Sequence, residues 1–158
     1  MRKRNPQLAL RLDAPDPDPA VRWRDGTLLD FLGSQIRLCL DARVDGAGLA
    51  AGVLNLPLPP EATPRQVQDA AEAWLRREAL RLFGEIAARE AARRNRPCPR
   101  LALSFAVRGG WVQVTGPSEL RCNWRLIGQA RPEIERALTL AVASLPREES
   151  VGDLFAPA

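Results

Sequence analysis

Histidine is absent from the chain. That removes every Ser-His-Asp and Cys-His arrangement, imidazole acid–base work, and zinc sites of the mixed His/Glu or His/Cys kind. Tyrosine is absent too, so no phenolic acid or nucleophile is available. Cysteine is scarce: Cys39, Cys98 and Cys122 are far apart, odd in number and never spaced C-x-x-C. Neither a disulfide framework nor a tetrathiolate metal site fits them. Long apolar runs are missing, and Met1-Arg2-Lys3-Arg4-Asn5-Pro6 lacks the apolar core of a signal peptide. The expectation is a cytoplasmic protein with no membrane segment.

What remains is ordinary for a folded chain. The 158 residues are 46% apolar and 27% charged, enough for one domain and against wholesale disorder. Lys3 is the sole lysine, so arginine supplies nearly all of the positive charge, and the net balance is +4. Arginine favours phosphate, carboxylate and aromatic faces. A balance this modest, in a chain also rich in Ala, Pro, Leu and Gly, is nevertheless no electrostatic signature by itself.

Residues 1–20 read as a flexible segment: a basic tip, then Asp13-Ala14-Pro15-Asp16-Pro17-Asp18-Pro19, where proline removes donors and favours extended chain. A single domain over residues 21–158 follows. Period-two alternation predicts strands at Val21–Arg24 and Gln35–Asp41, with turns at Asp25-Gly26 and Asp45-Gly46, and a third over Gly48–Leu58. Thr63-Pro64-Arg65-Gln66 is a capping box with proline in the first turn. It opens a helix predicted to run to about Arg94 and to end at Asn95-Arg96-Pro97. Strand periodicity returns at Leu101–Val107, at Trp111–Thr115 after a Gly109-Gly110 turn, and at Leu120–Leu126. In the last of these, Leu120, Cys122, Trp124 and Leu126 fall on one face, with Arg121, Asn123 and Arg125 on the other. Pro132–Leu145 is a helix with so broad an apolar face that deep burial is expected, and a short acidic tail follows. The fold class is α+β: a mostly antiparallel sheet packed with one long helix and one buried helix.

Several segments resemble the YgjP-like metallopeptidases, relatives of the SprT-like zincins. Val21–Gly33 is similar to a "dG-x-x-x-x-x-LG" opening, and Leu56-Pro57-Leu58-Pro59-Pro60 followed by the Trp74 helix matches in order. Leu120-Arg121-Cys122-Asn123-Trp124-Arg125-Leu126 resembles the "L-x-L-N-W-R-L" strand ahead of that family's active-site helix. The resemblance spans roughly residues 20–155 and implies a zincin-like fold. It also implies where an H-E-x-x-H zinc site would stand. With one deletion near the start of the last helix, Leu140 and Ser144 take the two histidine positions, Ala141 the glutamate and Ser150 the third ligand. Leucine and alanine offer no lone pair, and neutral serine is a poor zinc ligand. The preceding "R-W-G-S-C" segment keeps only Trp111. The resemblance therefore implies a catalytically inactive homologue, with no metal and no cofactor, that acts by binding or regulation, with another protein as partner.

Other chemistry finds little support. Glu119, Glu133 and Glu135 fit solvated surface positions, Cys122 fits a small buried hydrophobe, and Gly109-Gly110 precedes no helix that would cradle phosphate. Trp74, Trp111 and Trp124 are expected as core anchors, with Trp23 open between core and surface. A residual groove is expected at Trp111, Asn123 and Arg125. The alternative function is a nucleic-acid-associated module using Arg89, Arg93, Arg94, Arg96 and Arg100, which gather at the end of the long helix. The same cations also complement a helix C-terminus without any partner, and no aromatic side chains are interleaved for base stacking.

Overall fold

The computed structural model describes residues 23–106 and 109–147. The expected flexible segment 1–20, the acidic tail and Ser150 lie outside them. The order is β1 (Leu28–Phe31), β2 (Ser34–Leu40), β3 (Gly48–Ala50), β4 (Val53–Leu56), α1 (Pro64–Arg93), β5 (Arg100–Ser104), β6 (Val112–Gly116), β7 (Glu119–Asn123), a 3-10 helix (Trp124–Gly128) and α2 (Arg131–Ser144). The class is α+β.

Strand pairing departs from a single, mostly antiparallel sheet. A four-stranded sheet runs β1-β2-β4-β3 and a three-stranded one β5-β7-β6. β2 pairs β4, and β5 pairs β7, in parallel, while the other pairings are antiparallel. Because β7 lies between β5 and β6, Gly109-Gly110 is not the turn of a hairpin.

The first hairpin is also shifted from its expected place. Trp23 and Arg24 form no strand; they enter a turn in which the Thr27 N–H donates to the Arg24 carbonyl. The reversal into β2 is made by Leu32 (φ +51°) and Gly33 (φ +79°), a two-residue loop with both central residues at positive φ. This geometry matches the twist of the flanking strands. Ala51 and Gly52 repeat it between β3 and β4. Gly33 is required for a second reason: a Cβ there would sit 2.8 Å from Ala130 Cα. The hairpin tip is thus pressed against the residue that opens α2, and the Leu32 and Gly33 N–H groups donate to the carbonyls of Ile127 and Gly128.

α1 begins as its sequence dictates. Thr63 Oγ1 accepts from the Gln66 N–H and Gln66 Oε1 from the Thr63 N–H, a reciprocal cap that stabilises the first turn by about 1 kcal/mol. Its end is set by Asn95 at φ +52°. The Asn95 N–H donates to Ala92 and the Arg96 N–H to Ala91, a left-handed termination that satisfies the last carbonyls. Val67, Ala71, Trp74, Leu75, Ala79, Leu82, Phe83, Ile86 and Ala87 of α1 are buried, and the Phe31 and Trp74 rings meet at 5.2 Å.

β7 stops at Asn123, three residues before the expected strand end. Asn123 Oδ1 accepts from the Arg125 N–H and opens the 3-10 helix, so Trp124 and Leu126 are buried on a helical turn and not on a strand face. Asn123 is itself buried. α2 buries one face only: Ile134, Leu138, Ala141 and Val142 are inside, whereas Leu140 is 63% exposed. The deep burial expected of this broad apolar helix is thus limited to the face turned to the core, and Leu140 stands outside it.

Candidate functional site

Of the positions that the resemblance singles out, Leu140, Ala141 and Ser144 lie on α2 and Trp111 stands just before β6. Val112 and Val114 stand opposite Cys122 and Leu120 in the β6–β7 register, so the pleat turns them to the face that meets the helices. α2 contributes Ala137, Leu140, Ala141 and Ser144. With Trp111 at the entry to β6, these residues line a groove of about 400 Å³. Leu140, Ala141 and Ser144 therefore share one surface, although Ala141 is mostly buried. The Ser144 hydroxyl donates to the Ala141 carbonyl at 2.8 Å, an intrahelical bond that turns its hydrogen away from the groove.

Trp111 is 44% exposed and Val114 40%. Trp111 is thus not the core anchor expected; Trp74, Trp124 and Trp23 are the buried tryptophans. On its other side Trp111 lines a second cleft of about 330 Å³ with Asn123, Arg125, Ala106, Gly109 and Gly110. The expected trio of Trp111, Asn123 and Arg125 is therefore brought together. The Asn123 side chain is already committed, since its Nδ2 donates to the Ala106 carbonyl at 2.9 Å while its Oδ1 caps the 3-10 helix. Arg125 stacks over the Trp124 ring at 4.9 Å, and Arg76 covers Trp124 at 5.8 Å and Phe105 at 5.3 Å. Sequence reading missed this cation–aromatic stack, which joins residues remote in the chain. Of the groove residues it also missed Val112, Val114 and Ala137; the alternation of Val112 and Val114 with Gln113 and Thr115 was the available signal for the two valines.

The arginine cluster is largely occupied. Arg89 pairs with Glu135 at 3.2 Å, Arg93 with the buried Glu90 at 3.2 Å, and Arg96 donates to the Val142 and Leu145 carbonyls at 3.3 and 2.6 Å. Hydrogen bonds from Arg89, then Arg131, hold the Glu135 carboxyl below its ordinary range. Arg94 and Arg100 have no side-chain partner among the described residues. Glu119, Glu133 and Arg121 are exposed.

No family model, no curated protein and no solved structure matches the chain.

The chemistry of the two clefts can be read from their own groups. Among the described residues, no three Cys, Asp or Glu side chains gather as a metal-binding set, and no helix is long and apolar enough to cross a membrane. Burial pushes the Cys122 thiol up to about 12, so at neutral pH it is a protonated core side chain without nucleophilic character. Several residues of the segments quoted above stand at structural joints. Leu32-Gly33 seats the hairpin on Ala130, Asn123 opens the 3-10 helix, and the Arg76 and Arg125 guanidinium groups both lie over the Trp124 ring.

Proposed function

We propose that this chain is a degenerate member of the YgjP-like family, with a zincin-like scaffold, that works in the cytoplasm as a non-catalytic binding domain. Its partner is another protein, which presents an extended apolar segment to the groove between β6 and α2. The observation that carries the reading is Leu140. It is the most exposed large apolar side chain of the described residues, and it stands where the resemblance puts a zinc-binding histidine. Replacement of a ligand by an exposed leucine, beside exposed Trp111 and Val114, turns a polar reaction site into an apolar one.

Two further features support a peptide as occupant. Among the described residues β6 is paired on one side only, and an unpaired edge offers donors and acceptors to an added strand. Aromatic anchors beside aliphatic contacts are also typical of sites where a few side chains dominate binding. The nucleic-acid alternative draws less support, because Arg89, Arg93 and Arg96 already have partners within the fold.

Selection of a random-sequence peptide library on the intact chain tests this reading. It should enrich apolar, extended sequences whose binding is lost in Leu140→Asp and Trp111→Ala. Cleavage of the selected peptides, or equal binding to both variants, would defeat it.

A further inference from the structure

A separate cavity of about 590 Å³ opens where α1 ends, α2 ends and the β6–β7 turn passes. It shares no lining residue with the groove described above. Three arginines line it: Arg94 and Arg96 from the turn after α1, and Arg147 from the segment after α2, with Asn95 and Ser118 beside them. Among the described residues, no acidic and no aromatic side chain lines it.

The three cations reach the cavity for identifiable reasons. Asn95 in the left-handed conformation turns the chain sharply after α1, so Arg94 and Arg96 leave the helix axis together. Arg96 Nη1 is fixed by the Val142 and Leu145 carbonyls, which neutralises the partial negative charge of the α2 C-terminus. Its Nε and Nη2 have no hydrogen-bond partner among the described residues. The guanidinium groups of Arg94 and Arg147 are likewise unpaired there, and both residues are exposed. Three like charges around one concave space repel one another, and an anion between them removes that repulsion.

We propose that this cavity binds a compact polyphosphate group, as carried by a nucleoside diphosphate or triphosphate or by inorganic polyphosphate. A single carboxylate would leave most of the positive charge unbalanced, whereas a di- or triphosphate matches three guanidinium forks. The volume is in the range of small-molecule sites, roughly 300–1,000 Å³. Among the described residues no aromatic side chain lines the cavity for base stacking, so phosphate and not base is what the site reads.

Calorimetric titration of the intact chain with inorganic tripolyphosphate at low salt tests the site. The expected result is saturable binding that Arg94→Gln with Arg147→Gln weakens by about tenfold or more. The control pair Arg24→Gln with Arg37→Gln removes the same charge from exposed arginines outside the cavity and should leave affinity within about twofold. Unchanged thermal midpoints in both double variants establish that folding is not what is measured. Adenosine triphosphate should bind about as well as tripolyphosphate, and tighter binding of the nucleotide through the same arginines still supports the phosphate site. Three results would overturn the proposal: no saturable binding, equal weakening by both pairs, or a polythymidine strand that outcompetes tripolyphosphate at these arginines.

Discussion

Gly33→Ala probes the joint that positions α2. Two costs combine at this residue. Its φ of +79° lies in the left-handed region, where an L side chain costs about 1 to 2 kcal/mol. The added Cβ would also meet Ala130 Cα at 2.8 Å and Ala130 Cβ at 3.0 Å. No side-chain rotation relieves a clash with backbone, so the hairpin tip or the start of α2 must move, at about 1 to 3 kcal/mol more. Gly26 separates the two effects, because at φ +86° a Cβ added there would meet nothing within 4 Å. Gly26→Ala therefore reports the backbone cost alone. Equilibrium urea unfolding of both variants should show Gly33→Ala losing about 3 kcal/mol, a fall in Tm of roughly 10 °C, and Gly26→Ala losing about half as much. Equal losses would refute the claim that the hairpin is wedged against the α2 entry.

Arg96→Gln removes the donor to the Val142 and Leu145 carbonyls and should cost about 1 to 2 kcal/mol in the same assay. Glu135, held low by Arg89 and Arg131, contributes stability that is fully present above the ordinary glutamate value of about 4.3. That contribution is lost as pH falls through the lowered folded-state value. Glu135→Gln should therefore lower Tm at neutral pH and flatten the acid limb of the Tm-against-pH curve. With its thiol pushed up to about 12 by burial, Cys122 should resist maleimide in the folded protein, whereas exposed Cys98 reacts; mass mapping after a brief pulse distinguishes them. Leu140→Asp should change stability by no more than about 0.5 kcal/mol, as for other exposed positions, while abolishing peptide binding.

Local chemistry explains what the sequence revealed and what it concealed. The α1 start was legible because Thr63, Pro64 and Gln66 act within one turn. The first hairpin was not, because Leu32 adopts a left-handed conformation that leucine ordinarily avoids, so no turn signal marks it. The end of β7 was hidden for a related reason. Alternation continues through Trp124 and Leu126, yet the Asn123 side chain captures the Arg125 N–H and converts the next residues to a 3-10 helix. Parallel pairing of β2 with β4 and of β5 with β7 depends on contacts across long connections, which strand periodicity does not encode. Of the candidate site, Trp111, Asn123 and Arg125 do line one cleft, but Arg125 reaches it from the 3-10 helix and not from the strand face that alternation suggested. The exposure of Leu140 was not legible, because an apolar residue on an apolar helix face carries no mark of which side its neighbours cover.

We propose a retained scaffold whose metal-binding positions have become an apolar docking groove. Metal analysis of the intact protein, after incubation with zinc and removal of the unbound ion, tests it most directly. Bound zinc should stay far below one equivalent per chain. One tightly held zinc per chain, retained in the wild type and lost on substitution at Leu140 or Ser144, would contradict it.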